Sequence, residues 1–382
     1  MEEQEAATKE GQQQVAGAAP LLPPLPRLLT VCGQSPDPAD VPSMEKLLTG
    51  MGGDLRRVFK VGEGSYGEAF KHAGHVVKII PIEGPTHVNG YAQKSAGNMT
   101  GEALVALTLS GLRRECDADG ARREHVAPSF VDTSRVAICH GPYPKLVARA
   151  WHKWDTENGS ENDAVDGPGF GPGSASARSQ LYLILAMADC GRDLEKHALS
   201  GGLLEARSIL LQTVLTLAVG EAAVEFEHRD LHWGNLLIAP ALTRSIAFRL
   251  DDVDIMVESA GVRASLIDFS ASRLIAADGT LAFCDLSQDP EIFEGPKGQI
   301  QFDTYRYMAA LTGGDWATPT PGTNCLWMAY LAETLAATKI GGISRASAAK
   351  RALREFKKRC VDYSSCRDML QDELFEGLWA RA

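Results

Sequence analysis

Four short strings carry most of the chemistry this sequence could perform. Glu227-His228-Arg229-Asp230-Leu231-His232-Trp233-Gly234-Asn235 fits the pattern H-R-D-L-x-x-x-N and runs on into apolar Leu236-Leu237-Ile238. An aspartate in that place can accept or orient the proton of an attacking hydroxyl, and the asparagine five positions on can hold a metal ion. A solvated charged turn would not sit between a long apolar helix and an apolar strand. Leu266-Ile267-Asp268-Phe269-Ser270 puts a carboxylate directly after a second apolar strand, where D-F-G would place a Mg²⁺ ligand. Taken alone, Asp268 could equally be a cap or turn residue.

Lys78 stands inside Val76-Val77-Lys78-Ile79-Ile80, and a lysine is costly to bury without a partner. Its head either reaches water from an edge strand or grips the α and β phosphates of a nucleotide beside a helix-borne carboxylate. Glu102, just before Leu104-Val105-Ala106-Leu107, is the candidate partner. Glu83 is nearer in sequence but sits before Gly84-Pro85 at the strand's end. Gly62, Gly64 and Gly67 complete a G-x-G-x-x-G turn with β-prone flanks, through which backbone amides can approach a polyphosphate. Alone, that turn is explained as well by local geometry, and a strand rather than a helix follows it, against a dinucleotide-binding fold. The order of the four strings, and no single one of them, points to phosphoryl transfer.

The elements that must position these residues are legible in outline. Arg57 to Ile82 alternates β-prone runs with glycine turns, as a small antiparallel sheet does. Met99 to Leu112 has helical character, and Leu181 to Ala186 is a short apolar run suited to a buried strand. Asp155 to Ser179, dense in Gly, Ser, Asp and Pro, reads as a surface loop or insertion. Leu203 to Phe226 is long and apolar, a central helix. Asn235 to Ile238 and Ser265 to Ile267 are short apolar runs flanking Asp251, Asp252 and Asp254 in a loop or hairpin. In the helical C-terminal third, Ala346, Ala349, Leu353, Phe356 and Cys360 fall at helical spacing. Lys350, Arg351, Arg354, Lys357, Lys358 and Arg359 surround them. The first 45 residues or so, rich in Glu, Gln, Ala and Pro, read as a flexible tail.

The chain's 382 residues, 45% hydrophobic and 23% charged, suffice for a sizeable core and exclude collagen-like, coiled-coil or largely disordered classes. A net charge of −11 speaks against a general nucleic-acid binder and for a basic substrate. The eight cysteines form no C-x-x-C pair and no zinc spacing, as free thiols of a reducing compartment would. The acidic N-terminus lacks the basic start of a secretory signal, and the apolar stretch Ile209 to Phe226 is interrupted by Gln212, Glu221 and Glu225. A cytosolic or nuclear protein with no membrane span is expected.

These strings resemble eukaryotic protein kinases, and more closely the haspin-like kinases, atypical histone H3 kinases. The closer features are Lys78-Ile79-Ile80 with Ile82-Glu83-Gly84-Pro85, His-Trp-Gly between Asp230 and Asn235, Phe283-Cys284-Asp285-Leu286-Ser287, Gln301-Phe302-Asp303-Thr304-Tyr305-Arg306 and Asn324-Cys325-Leu326-Trp327. The likeness runs from about Phe59 to Phe375. It departs from ordinary kinases in lacking Ala-Pro-Glu after Asp268, in Ser270 for the glycine of D-F-G, and in Val76 and Ala69. The first two departures are shared with haspin-like kinases, which resemble enzymes active without activation-loop phosphorylation. The hinge string Ala186-Met187-Ala188-Asp189 lacks the acidic and aromatic residues of the nearest relatives.

The resemblance implies an α+β, two-lobed protein kinase fold: a flexible tail over 1–52, a small β-rich N-lobe over 53–188 with the hinge at its end, and a larger helical C-lobe over 189–382. It implies ATP and Mg²⁺ as cofactors. Gly62, Gly64 and Gly67 would then cover the phosphates, Lys78 held by Glu102 would contact them, and Met187 and Ala188 would meet the nucleotide at the hinge. Asp268 and Asn235 would bind Mg²⁺, and Asp230 would orient a threonine hydroxyl. Asp193, Glu195, Asp289 and Glu291, with His232, would line a groove for the histone H3 tail, unless they are solvated loop carboxylates. The basic helix from Lys350 to Arg359 would touch nucleosomal DNA or form a solvated face. A monomer, nuclear and chromosome-associated in mitosis with a cytoplasmic pool, is the expected setting. The alternatives are a catalytically silent scaffold and an atypical kinase with a non-histone substrate.

Overall fold

A computed structural model describes residues 22–64, 66–340 and 346–382. In chain order, α1 (Pro24–Val31) and α2 (Met44–Gly50) precede β1 (Phe59–Gly64), β2 (Gly67–His72) and β3 (His75–Ile82). Then come α3 (Ala96–Gly111), β4 (Thr133–His140), α4 (Lys145–Asn158), α5 (Ala175–Ser179) and β5 (Leu181–Ala188). The five strands form one antiparallel sheet in the order β1-β2-β3-β5-β4. β3 is buried on both faces over Ile79–Ile82, which its continuous apolar run requires. One face packs against α2 and α4 through Leu47, Val147 and Trp151, the other against α1 and α3 through Leu29, Met99 and Ala103.

The larger lobe begins with β6 (Arg192–Asp193) and α6 (Gly202–Val224). α6 is apolar all round and correspondingly buried from Ile209 to Gly220. It is long and apolar enough to cross a membrane by length and composition, but most of it lies inside the core. β7 (Leu236–Pro240), β8 (Ser245–Leu250), β9 (Val253–Glu258), β10 (Val262–Leu266), β11 (Arg273–Ile275) and β12 (Leu281–Phe283) follow. Asp251 and Asp252 turn the β8–β9 hairpin with φ of 52° and 60°. Helices α7 (Glu291–Glu294), α8 (Ile300–Thr312), α9 (Gly322–Thr334), α10 (Ala346–Cys360) and α11 (Cys366–Met369), with the short β13 (Trp379–Arg381), complete the chain. The mixed architecture, a β-rich lobe and a helical one, is the two-lobed kinase fold.

Three expectations change. Residues 22–52 are not a tail: Leu28, Leu29, Met44 and Leu47 are buried, and they build α1 and α2 onto the sheet's two faces. The surrounding Glu, Gln and Pro dilute that apolar content in any composition window. Residues 1–21 lie outside the described residues. The boundary at 188 is also less clean than expected, because the connection from α3 to β4 joins the larger lobe. Val126 N–H donates to Arg249 O at 2.8 Å, Val131 N–H to Leu266 O at 3.0 Å, and Phe130 sits in the large core. Finally, α10 buries Ala349, Leu353, Phe356 and Cys360 as its spacing predicts, but most of its basic residues are already paired. Arg354 and Lys357 meet Glu333, Lys358 meets Glu355, and Arg359 meets Asp372 and Glu373. Four of the six basic residues of that helix thus face acidic groups of the chain itself.

Four thiols are buried, Cys139, Cys325, Cys360 and Cys366; Cys32, Cys190 and Cys284 are half-buried, and Cys116 is exposed.

Candidate active site

The register of β7 against β10 builds the centre of the site. Leu236 pairs with Leu266, and Ile267 N–H donates to Asn235 O at 3.1 Å, so the end of the H-R-D string and the start of D-F-S lie side by side. α6 stops at Glu225, which takes a left-handed φ of 51° and turns the chain inward to buried Phe226. Arg229 and Asp268 are also left-handed, at 63° and 58°. For residues other than glycine this costs on the order of 1–2 kcal/mol each and persists only where neighbours over-determine it.

Those neighbours are present. His228 N–H donates to Asn324 Oδ1 at 3.0 Å, and Asn324 Nδ2 donates to Phe226 O at 3.0 Å and Glu221 Oε1 at 2.9 Å. The His228 ring lies between Ile267 O, 3.1 Å from Nε2, and the Asp230 N–H, 3.4 Å from Nδ1. That arrangement needs Nε2 protonated and Nδ1 bare. Burial pushes the ring's pKa down to about 4, which keeps it neutral. Fully buried Arg229 donates to Glu227 Oε2 at 3.1 Å and Trp316 O at 2.7 Å and lies over the Trp316 ring. Glu227 in turn accepts from Thr320 N–H and Thr323 Oγ1, both at 2.7 Å.

Asp230 is held at both carboxylate oxygens. Tyr305 Oη, from α8, donates to Oδ1 at 2.5 Å, and Asn235 Nδ2 lies 3.4 Å from Oδ2 and 2.8 Å from the Asp230 carbonyl. Burial raises this carboxyl to about 7, with Asp268 adding to the effect while Tyr305 and Asn235 oppose it. The Tyr305–Asp230 contact was not legible in the sequence. Gln301 to Arg306 carried the family likeness, but nothing in its spacing assigned Tyr305 to a carboxylate 75 residues earlier.

Lys78 lies 3.2 Å from Asp268 Oδ2 and 3.8 Å from Glu102 Oε1, so Glu102 on α3 is indeed its helix partner. Glu83 does something else: with φ 61° it accepts from Ala96 N–H and seats the start of α3. Burial works against both charges of the Lys78–Asp268 pair, yet the pairing wins. Asp268 stays well below the usual carboxylate range, helped by the Ser270 N–H at 3.3 Å, and Lys78 stays above the usual amine range. Asn235 commits its amide nitrogen to Asp230, so its oxygen is the end left for a cation. A carboxylate and an amide oxygen make a hard donor set, which suits Mg²⁺.

Above this centre, Gly67 admits no side chain, because a Cβ there would come 2.5 Å from Ile79 O. Gly62 and Gly64 face β2 across from Ala69 and Gly67. Met187 packs against both the large core and the α1–α3 core, at the end of β5, and Ala188 N–H is committed to Asp132 O at 2.8 Å. A cavity of about 320 Å³ lies between α3 and β12, bordered by Glu102, Phe269 and Cys284.

The proposed peptide-binding carboxylates are less uniform. Asp193 accepts from the Lys196 N–H at 2.7 Å and pairs with the Lys196 ammonium at 3.0 Å, so it offers no free charge. Glu195 is exposed, close enough to His232 to oppose the burial that lowers that ring's pKa. The His232 Nδ1 accepts from Gly234 N–H at 3.0 Å. Asp289 and Glu291 are exposed and near Tyr66 of the glycine turn, whose pKa burial and these charges raise.

The sequence that builds this site is similar to those of known proteins. A haspin-like kinase domain matches residues 47–370. The chain belongs to the haspin-like kinase family. It is similar to a serine/threonine-protein kinase haspin homolog of Arabidopsis thaliana, 37% identical over 355 residues, which is 93% of this chain and 56% of that protein. It is also similar to the serine/threonine-protein kinases haspin of Bos taurus and Mus musculus, each 33% identical, over 83% and 84% of this chain. The chain thus spans about half the length of these haspin relatives, or less: 56%, 40% and 42% of the three.

Proposed function

We propose that this haspin-like chain is an ATP- and Mg²⁺-dependent serine/threonine kinase acting on a threonine of the histone H3 N-terminal tail, in the nucleus on mitotic chromosomes. The observation that carries the catalytic part is the convergence of Lys78, Glu102, Asp230, Asn235 and Asp268 from four separate segments, each paired with another group of the site. A scaffold without catalysis has no use for Asp230 held at both oxygens or for a lysine sharing two carboxylates. Membership of a family whose relatives are named serine/threonine kinases adds to it.

In this reading Lys78 binds the α and β phosphates, Gly62, Gly64 and Gly67 cover them, and Asp268 and Asn235 hold the metal. Bound Mg²⁺ offsets the negative charge of the transferred phosphoryl group. Asp230 orients the acceptor hydroxyl through the oxygen facing Asn235, while Tyr305 fixes the other. Positioning and fixed charge supply most of the rate. Arg229 is already neutralised by Glu227, so the catalytic loop needs no phosphate on a separate segment to order it; this supports activity without activation-loop phosphorylation. The H3 tail fits as substrate because it is basic and Glu195, Asp289 and Glu291 are free acidic groups at the rim. The test is phosphate transfer from labelled ATP to an H3 N-terminal peptide and to the same peptide with its first threonine replaced by alanine. Transfer to the first alone supports the reading; transfer to neither, with ATP bound, removes H3 as substrate.

A further inference from the structure

The connection between α4 and β5 has no part in the chemistry above, yet it reaches across the sheet to the glycine turn. α4 ends at Gly159, with φ 70° and its N–H on Asp155 O at 2.8 Å, and Ser160 N–H caps the same aspartate through Oδ1 at 2.9 Å. From there the chain meets Glu63, the residue between the first two glycines. Ser160 Oγ donates to Glu63 Oε2 at 2.6 Å, and the Glu161 N–H donates to Glu63 Oε1 at 3.1 Å. Asn162 spends both hydrogens of its amide on the turn, on Gly64 O at 3.1 Å and Glu68 Oε1 at 2.8 Å. Beyond it, Asp163 and Asn89 exchange two backbone-to-side-chain bonds of 2.8 and 2.9 Å, which anchors the far end.

Beneath this contact lies Lys60, whose side chain is wholly buried. Its ammonium lies 2.5 Å from Glu63 and 2.7 Å from Glu68, over the rings of Trp151 and Trp154 at 5.0 and 5.7 Å. A buried cation shared by two carboxylates and two aromatic faces is a fixed anchor, because without Lys60 both Glu63 and Glu68 would lose their counter-charge. A solvated surface loop would carry none of this. The segment is polar because it binds one particular polar target.

We propose that residues 160–162 are a strap that holds the β1–β2 glycine turn in its nucleotide-binding shape before nucleotide arrives, with Ser160 and Asn162 as positioning residues acting through Glu63 and Gly64. The proposal rests on the reading of that turn as a phosphate cover. A free glycine-rich turn loses conformational freedom when it closes on a ligand; a strapped one has lost it during folding, so less is subtracted from nucleotide affinity. The strap touches neither Asp230 nor the acidic rim, so its effect falls on nucleotide binding and not on the transfer step or the peptide.

The experiment compares the full chain with Ser160→Ala/Asn162→Ala and with Ser160→Thr, which keeps the hydroxyl. Affinity for Mg²⁺–ADP is measured by calorimetry, and amide hydrogen exchange over residues 60–64 is followed in nucleotide-free protein. The double variant is expected to bind Mg²⁺–ADP about tenfold more weakly and to exchange those amides about tenfold faster, the scale of ordering two side chains and a turn. kcat at saturating ATP, the KM for peptide and the melting temperature should stay near the parent's, and Ser160→Thr should behave as the parent. Unchanged exchange over 60–64 overturns the strap. So does an equal loss of melting temperature, kcat and peptide affinity, which would mark a general structural role. If exchange quickens but the parent binds no Mg²⁺–ADP, the strap stands and the kinase reading fails.

Discussion

Asp230 and Asp289 both border the cleft, and they are built in opposite ways. Asp230 is enclosed, with Tyr305 on one oxygen, Asn235 on the other, and a loop behind it whose backbone and side-chain groups run through His228 and Arg229 to Asn324, Glu227 and Trp316. Asp289 is exposed beside Glu291, near the Tyr66 ring and the Cys284 thiol. The first must hold one atom within a few tenths of an ångström through a reaction; the second needs only to present charge to a mobile, basic chain. Buried, cross-braced groups supply geometry, and exposed ones supply long-range attraction that salt can weaken.

Substitutions on the two sides should separate cleanly. Asp230→Asn should lower kcat by about 10³-fold with ATP affinity retained, the scale of losing a positioned proton acceptor; near-normal turnover would remove Asp230 from the chemistry. Tyr305→Phe removes one hydrogen bond to a charged group and keeps the packing against Trp327, so kcat should fall about tenfold. In an Asp230→Asn background the same change should do little more, and full additivity would show that Tyr305 acts elsewhere. On the open side, Asp289→Asn/Glu291→Gln should leave kcat alone and raise the KM for a basic peptide about fivefold at low salt, with the gap closing as salt rises. A salt-independent change would mean that these side chains make close contacts and do not merely attract.

The smallest effect expected is on stability, and it tests the bracing behind the catalytic loop. Burial raises Glu221 from 4.5 to about 7, while Asn324 Nδ2 and the Cys366 N–H hydrogen-bond to it. The folded chain therefore binds this proton more tightly than the unfolded chain. The group's contribution is fully present below about pH 4.5 and is lost as pH rises toward 7. Glu221→Gln removes that titration, so the variant's melting temperature relative to the parent's should be more favourable at pH 8 than at pH 5. A difference that does not change with pH would mean that Glu221 does not change protonation on folding.

The same contrast explains what could be read in advance. The catalytic strings were legible because chemistry dictates both residue type and spacing within one short segment, as in His228 to Asn235. The lysine's partner was legible because only Glu102 opens an apolar helical run. Tyr305 was not, since its partner is created by α8 crossing the catalytic loop, a long-range contact with no local signature. Nor could the sequence show that Asp193 is spent on Lys196 three residues away, or that Arg354, Lys357 and Arg359 of α10 meet Glu333 and Asp372. Charges advertise themselves by type, while their partners depend on the fold. α1 and α2 were hidden for a related reason: two leucines in a Pro-rich stretch weigh little by composition and much when they complete the face of a sheet.

The graded exposure of the thiols offers a readout that needs no engineering. Cys284 borders the cavity beside Glu102, and burial raises its pKa. Cys116 lies in the open on the turn after α3. A slow alkylating reagent should therefore mark Cys116 at a rate indifferent to what fills the cleft, and Cys284 at a rate that falls as the cleft is occupied. The unmodified chain thus carries its own occupancy gauge together with an internal reference, legible by mass spectrometry of two peptides.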